Sequence, residues 1–95
     1  MKKSILNILF EDIRNHSSIL MSDSKKEEMI KLIDSVPNIK INCESFDEDD
    51  SNFIPSVAVN ITDSEDNYLA YIGYIGNVID QLDFNENYSK TDNKN

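Results

Sequence analysis

The stretch Ser56–Ile75, SVAVNITDSEDNYLAYIGYI, decides the fold that the sequence predicts. Apolar and polar residues alternate from Val57 to Thr62, which is the pattern of a strand with one buried face. The polar residues Ser64–Asn67 then predict a turn, and Tyr68–Ile75 returns as a strand that is apolar on both faces. A hairpin of these two strands is therefore expected at the centre of an antiparallel sheet.

The length of the turn decides which tyrosines of the second strand are exposed. With a four-residue turn, Tyr74 shares a face with Val57, whereas Tyr71 lies on the opposite face. A five-residue turn exchanges the two faces, because side chains alternate along a strand. A helical layer can cover only one face, so at least one tyrosine is expected on the other. Either the end of the chain or a partner protein would cover it.

Two helices are predicted before this hairpin. The first is indicated by apolar residues at three- and four-residue spacing: Ile5, Leu6, Leu9, Phe10, Ile13 and Leu20. Ser4 is its expected N-cap. Ser24, three residues before Glu27, predicts a capping box at the start of the second helix, and Pro37 ends that helix. The short break between the helices predicts a helical hairpin.

One further strand and one ambiguous segment complete the chain. Ile39 and Cys43 belong to an alternating apolar pattern that predicts a half-buried strand, with Cys43 on its inner face. In Gly76–Phe84, the dipeptide Gly76-Asn77 fits a two-residue hairpin turn before a strand. Asn77 equally fits the cap of a short helix, and the i, i+1, i+4 spacing of its apolar residues (Val78, Ile79 and Leu82) favours the helix.

These elements predict one α+β domain over residues 1–84. Its N-terminal helical hairpin packs on one face of a small antiparallel sheet of three or four strands, and a short C-terminal element follows. Residues 85–95 are predicted to be a flexible polar tail. The sequence has no apolar run near the ~18 residues of a membrane span and no signal-peptide cleavage site, so a soluble cytoplasmic protein is expected.

The charges are divided unequally along the chain. Residues 41–89 contain eleven acids and no lysine or arginine, whereas residues 1–40 contain seven bases and six acids. The formal net charge of −9 therefore comes almost entirely from the second half. A surface of one sign steers association with a basic partner, but solvated loops without a binding role would give the same count. Direct nucleic-acid binding is disfavoured, because it needs clustered lysines and arginines.

The sequence offers no arrangement of residues for catalysis or for holding a cofactor. Its one histidine, His16, lies beside the apolar face of the first helix and is expected to be structural. Its single cysteine excludes an internal disulfide. Asp47–Asn52 resembles the beginning of a calcium loop, but Asn52 replaces the glycine and Ala58 replaces the final acid. The sequence therefore predicts no enzyme, no metal site and no cofactor.

The acids favour an inhibitory binding protein: an immunity protein, an antitoxin or a phage-type inhibitor. Alternate residues of an extended segment lie ~6.6 Å apart, comparable with neighbouring phosphates of DNA, so Asp47 with Asp49, or Asp63 with Glu65, would mimic phosphates. The chain is similar to DNA-mimic and immunity proteins in size and charge only. The candidate partner-binding residues are Glu44, Asp47, Glu48, Asp49, Asp50, Asp63, Glu65 and Asp66, with Tyr68, Tyr71 and Tyr74 as anchors.

This hypothesis predicts a basic protein partner, such as a nuclease toxin or a nucleic-acid-binding enzyme. It predicts no contact with nucleic acid or membrane, and a monomer or weak dimer. Two alternatives remain. An accessory or chaperone-like subunit would add an exposed tyrosine-rich strand to the sheet of its partner. A small enzyme would lose its activity, but not its fold, on His16→Ala.

Overall fold

The chain folds as two helices followed by four strands. The computed structural model describes residues 2–16, 19–46 and 56–88. The elements are α1 (Lys2–Asn15), α2 (Asp23–Ser35), β1 (Lys40–Phe46), β2 (Ser56–Thr62), β3 (Tyr68–Ile75) and β4 (Val78–Phe84). The strands form one antiparallel sheet in the order β1-β2-β3-β4. This confirms the predicted α+β architecture. Within the described part of the chain, neither helix is long and apolar enough to cross a membrane.

The core lies between the helices and one face of the sheet, which we call the covered face. Its fully buried apolar side chains come from both layers: Ile13, Met29 and Ile33 from the helices, and Ile61, Leu69 and Ile72 from the sheet. Burial of each such side chain stabilises the fold by roughly 1.5–3 kcal/mol. We call the opposite side of the sheet the open face. It includes Lys40, Asn42, Glu44, Ala58, Asn60, Tyr68, Tyr71, Gly73, Gln81 and Asp83.

The β2–β3 hairpin has the register that a four-residue turn predicts. Val57 lies opposite Tyr74, and Ile61 lies opposite Ala70. Tyr74 is consequently on the covered face and Tyr71 on the open face. A register shift then pairs Thr62 with Tyr68, so that Leu69 has no opposite residue and joins the core. This bulge explains how a strand with apolar residues on both faces buries more of them than strict alternation allows.

The prediction of a helix after Gly76, which the spacing favours, is wrong. This segment is the strand β4, which was the alternative. Ile75 pairs with Val78, which leaves Gly76 and Asn77 as a two-residue turn. Gly76 has a φ of 61°, and glycine adopts this conformation without steric cost. A glycine at the first central position is what a type II′ hairpin turn requires.

A β-bulge in β4 produces the spacing that resembles a helix. Tyr74 pairs with Ile79 and Gly73 pairs with Gln81, so Asp80 has no opposite residue. The extra residue brings Ile79 and Leu82 to the same face although they are three positions apart. Both therefore face the helices, as they would on a helix with that spacing.

Both helices begin before the serines that the sequence suggests as caps. α1 begins at Lys2, so Ser4 lies inside it. The N-cap of α2 is Ser22, whose hydroxyl accepts a hydrogen bond from the backbone N–H of Lys25 at 3.3 Å. Ser24 therefore lies in the first turn of α2 and forms no capping box. α1 also ends at Asn15, which excludes the predicted Leu20 from its apolar face.

Two polar contacts hold α1 against α2. The guanidinium of Arg14 donates to both carboxylate oxygens of Glu27, at 2.9 and 3.1 Å, and this hydrogen bonding lowers the pKa of Glu27. Lys26 is only 2% exposed, and its ammonium donates to the backbone carbonyl of His16 just beyond the end of α1. A cation is favoured at this position by the helix dipole. The sequence pattern gave no indication that Lys26 is buried.

The packed chain continues beyond Phe84. The backbone N–H of Asn85 donates to the carbonyl of Leu69 at 2.8 Å, and Tyr88 is half-buried against the core. The sequence predicts a flexible tail from residue 85, so prediction and structure differ at residues 85–88. The rest of that tail, residues 89–95, lies outside the described residues.

Candidate interaction face on the open side of the sheet

The two layers of the molecule differ in charge. The helical layer is balanced, because α1 and α2 together contain six lysines and arginines and six acids. From Val36 to Tyr88, the described residues contain one base, Lys40. The described acids over that range are seven: Glu44, Asp63, Glu65, Asp66, Asp80, Asp83 and Glu86. The excess negative charge of the described chain is therefore carried by the sheet and its turns.

Three of the six bases of the helical layer, Arg14, Lys25 and Lys26, pair with neighbouring acids. The ion pairs are Arg14–Glu27, Lys25–Glu28, Lys25–Glu86 and Lys26–Asp23, and Lys40 of β1 pairs with Asp66 at 2.9 Å. Among the described residues, no base pairs with Glu44, Asp80 or Asp83. These three side chains are exposed and lie on the open face or at its β4 edge. Their negative field is therefore not compensated by a described lysine or arginine.

Tyr71 lies at the centre of the open face, next to Gly73. A Cβ atom at Gly73 would lie 3.3 Å from the hydroxyl oxygen of Tyr71 and 3.1 Å from the Oε1 atom of Gln81. The absence of a side chain at Gly73 thus lets the Tyr71 hydroxyl and Gln81 each lie close to β3 at this position. They line a depression of about 200 Å³, which also includes Asp80 and Ala58. An aromatic ring beside an uncompensated carboxylate suits a basic side chain.

The other two predicted anchor tyrosines already have partners. The Tyr68 hydroxyl, on the open face, donates to a carboxylate oxygen of Asp83, and burial together with this bond raises the pKa of Tyr68. The Tyr74 hydroxyl, on the covered face, donates to Asp12 at 2.8 Å, and burial together with that bond raises the pKa of Tyr74. Within the described residues, the hydroxyl of Tyr71 has no hydrogen-bond partner. Tyr71 is therefore the tyrosine best placed for an external contact.

Asp63 stabilises the β2–β3 turn by accepting hydrogen bonds within it. Its carboxylate is almost buried, at 8% exposure, and accepts hydrogen bonds from the backbone N–H groups of Glu65 and Asn67, both at 2.9 Å. The side-chain amide of Asn67 and the hydroxyl of Tyr88 also donate to it, at 3.0 and 2.8 Å. These four donors, led by the Asn67 side chain, lower the pKa of Asp63 to about 2.

This turn geometry bears on the predicted phosphate mimics. Asp63 and Glu65 lie in a tight turn and not on an extended strand, and the carboxylate of Asp63 points into the turn. Glu65 and Asp66 remain exposed at its tip. An aspartate followed by polar residues is a known signal for such a turn, but nothing in the sequence indicates the distant donor Tyr88.

The remaining predicted acids belong to β1 and to the segment after it. Glu44 is exposed on the open face, opposite Ala58. The acids Asp47, Glu48, Asp49 and Asp50, and with them the calcium-like stretch, lie outside the described residues. The prediction that Cys43 is buried on the inner face of its strand is wrong, because Cys43 is exposed. It lies opposite Val59 on the covered side, but on an edge strand that the helices do not cover at that point.

The position of β3 bears on the strand-addition hypothesis. β3 pairs with β2 on one side and with β4 on the other. Its backbone N–H and C=O groups are therefore used within the sheet, and this tyrosine-rich strand cannot add to the sheet of a partner. Among the described strands, β1 and β4 lie at the edges of the sheet.

The described residues show no arrangement that suits a metal ion or a catalytic group. In the described part of the chain, no group of three or more His, Cys, Asp or Glu side chains could hold a metal ion. His16 is half-buried beside a cavity of about 240 Å³ that Asp12 and Tyr74 also line. A larger apolar groove of about 580 Å³ lies between the end of α2 and residues 84–88.

Comparison with known proteins adds no relative. No family model matches the chain, and neither a curated protein nor a solved structure matches it. The open face is therefore characterised by the geometry and charge of its described residues. They place an aromatic ring at its centre, three acids without a described basic partner around it, and one described base, Lys40, which is already paired.

Proposed function

We propose that this protein is an inhibitory binding protein that docks the open face of its sheet on a basic protein. A nuclease toxin or a nucleic-acid-binding enzyme fits this description, and the protein would act on it in the cytoplasm, as an immunity protein, antitoxin or phage-type inhibitor does. The observation that carries the proposal is the separation of charge by layer. The helical layer contains equal numbers of bases and acids, whereas Glu44, Asp80 and Asp83 of the sheet have no described basic partner.

Tyr71 supplies the anchor in this proposal. Its ring is rigid and half-buried, so fixing it in an interface costs little conformational entropy. A lysine or arginine of the partner would lie on this ring while Asp80 or Asp83 accepts its N–H groups. Such a contact combines aromatic area with a charge-assisted hydrogen bond, and both occur often in interface hot spots.

The surrounding acids act mainly on the encounter rate. A field of one sign accelerates association with a basic surface and weakens as salt shortens the screening length. In the same way, the field repels nucleic acid, so the partner and not its substrate is bound. The acids after β1, Asp47–Asp50, would add to this field.

The experiment is a pull-down with the purified protein at ~20 mM and ~500 mM salt, with bound proteins identified by mass spectrometry. The proposal expects one basic nuclease or nucleic-acid enzyme, retained at low salt and released at high salt, and inhibited when the protein is added to its assay. Tyr71→Ser should reduce retention already at low salt, since the ring contact is not screened. A partner that is indifferent to salt and to Tyr71→Ser would contradict the proposal and favour an accessory subunit that uses a free sheet edge.

A further inference from the structure

The two free edges of the sheet differ in how well they can accept another strand. The register of β4 shifts at Asp80, and its only charged residues are Asp80 and Asp83. A bulge and acids both oppose edge-to-edge pairing. β1 pairs with β2 in an unbroken register over all seven of its residues, and Asn42–Ser45 are exposed. The regular edge of the sheet is therefore the β1 edge.

The sequence of β1 is complementary in charge to itself. Lys40 and Glu44 lie at equal distances on either side of Asn42, and all three are on the open face. If two copies of β1 pair antiparallel with Asn42 opposite Asn42, each Lys40 lies opposite the Glu44 of the other copy. We propose that the protein forms a two-fold symmetric dimer through this pairing, which joins the two sheets into one of eight strands.

The other residues of β1 fit the same register. Ile41 would lie opposite Cys43 of the second copy, which joins two apolar side chains on the covered side. Lys40 contacts Asp66 of its own chain at 2.9 Å, but an ammonium has three N–H donors and can hold both carboxylates. The backbone groups of alternate residues point out from the edge, and two antiparallel copies align them in pairs.

Neighbouring registers lack this complementarity. Centring the pair on Cys43 places Lys40 opposite Phe46, and centring it on Glu44 places two glutamates together. Like charges that face each other across a strand pair are destabilising. The interface is small, because one strand edge buries far less than the ~1,200 Å² of a stable complex. The dimer is therefore weak, and it would join the two open faces into a longer acidic surface. This inference does not rest on the proposed function.

Charge reversal tests the pairing through sedimentation of the purified protein from about 10 µM to about 1 mM. Lys40→Glu alone, or Glu44→Lys alone, places like charges opposite each other twice and should weaken dimerisation about tenfold. The double variant Lys40→Glu with Glu44→Lys restores both pairs and should return within about threefold of the wild type. Thermal unfolding of each variant at low concentration controls for the loss of the Lys40–Asp66 pair within the monomer.

Disulfide formation tests the register. Directly opposite residues of an antiparallel pair have Cα atoms ~4.5–5.5 Å apart, within the range that a disulfide bridges. Asn42→Cys, in a Cys43→Ser background, should therefore cross-link on mild oxidation. The matched control Ser45→Cys, in the same background, places the two thiols about 20 Å apart along the strands and should stay reduced. A wild type that is monomeric at the highest concentration, a double variant no better than the single ones, or equal cross-linking at both positions would overturn the proposal.

Discussion

The covered face and the open face of the sheet each contain a tyrosine of β3, but the two tyrosines have different contacts. Tyr74 and Tyr71 lie three positions apart on β3, yet Tyr74 is tied to Asp12 of α1 while Tyr71 lies beside Gly73 without a described hydrogen-bond partner. The acids follow the same division. Three of the six acids of the helical layer, Asp23, Glu27 and Glu28, pair with a neighbouring base, whereas Glu44, Asp80 and Asp83 have no described basic partner. One face therefore maintains the fold, and the other presents Tyr71 and acids that have no described partner.

Stability should depend mainly on the covered face. Ile72 is fully buried, so Ile72→Ala should lower the free energy of unfolding by about 3 kcal/mol, through lost burial and the cavity that remains. On the adjacent position of the same strand, Tyr71→Ser should lower it by no more than about 1 kcal/mol. Urea denaturation of both variants measures the difference. Equal losses would mean that the open face is part of the core.

The layer that covers the sheet depends on a buried lysine. Lys26→Met keeps the apolar stem but removes the ammonium, which leaves the His16 carbonyl at the end of α1 without this donor. We expect a loss of about 1–2 kcal/mol in the free energy of unfolding by urea denaturation. Lys31→Met is the matched control, because Lys31 is exposed on the same helix and should tolerate the change. A Lys26→Met variant more stable than wild type would show that desolvation of the ammonium outweighs its contact.

Acid should weaken the β2–β3 turn through Asp63. The pKa of Asp63 is about 2 in the folded protein, and an unfolded aspartate has ~3.9. The stabilisation is therefore complete above the unfolded value and is lost as the pH falls towards 2. Asp63→Asn should be less stable at pH 7 and should lose less stability than wild type between about pH 5 and pH 2. Thermal unfolding of the variant and the wild type across this pH range measures the loss of stability in each.

The control for this pH dependence is Glu65→Gln in the same turn. Glu65 is exposed and contributes only its backbone N–H to Asp63. The variant should keep the acid-induced loss of the wild type. If Asp63→Asn and wild type lost stability in parallel as the pH fell, the four donors to Asp63 would not be the source of the effect.

The smallest expected effect separates the two tyrosines. Tyr74→Phe removes the hydrogen bond to Asp12 and should lower the free energy of unfolding by about 1 kcal/mol. Tyr71→Phe removes a hydroxyl without a described hydrogen-bond partner and should change it by less than about 0.5 kcal/mol. Parallel urea titrations of the two variants measure this difference. A larger loss at Tyr71 would reverse the assignment of the faces.

The spacing of apolar residues and the residue types in the turns predicted most of the fold. The alternation from Val57 to Thr62 and the polar turn after it predicted the β2–β3 hairpin but left two registers open, and Pro37 separated helices from strands. The strand β4 was one of two alternatives after Gly76, and the helix was favoured over it because a bulge at Asp80 gives a strand the spacing of a helix. A bulge depends on how a strand pairs with its neighbour, and the local sequence pattern does not indicate it. The helix starts were missed because Ser22 and Ser24 are both acceptable caps by composition.

The candidate site could be predicted only in part. Charge segregation and exposed tyrosines follow from the sequence, but the roles of individual residues depend on distant partners. The carboxylate of Asp63 accepts a hydrogen bond from Tyr88, which lies twenty-five positions away. The hydroxyl of Tyr74 donates a hydrogen bond to Asp12 of α1. Asp80 and Asp83 were absent from the predicted site, and the sequence left the segment around them open between a helix and a strand. Cys43 was expected to be buried because strand alternation does not tell how far the helices extend.

In the proposed function, the open face, and not net charge alone, recognises a basic partner. This recognition is tested most directly by two variants that each lose three negative charges: Glu44→Gln, Asp80→Asn and Asp83→Asn on the open face, or Glu11→Gln, Glu28→Gln and Asp34→Asn on the helices. The association rate constant of each with the captured basic partner is measured at low salt. We predict a fall of about tenfold or more for the open-face variant and little change for the helical one. An equal fall for both would contradict the account, because the acids would then act only through net charge.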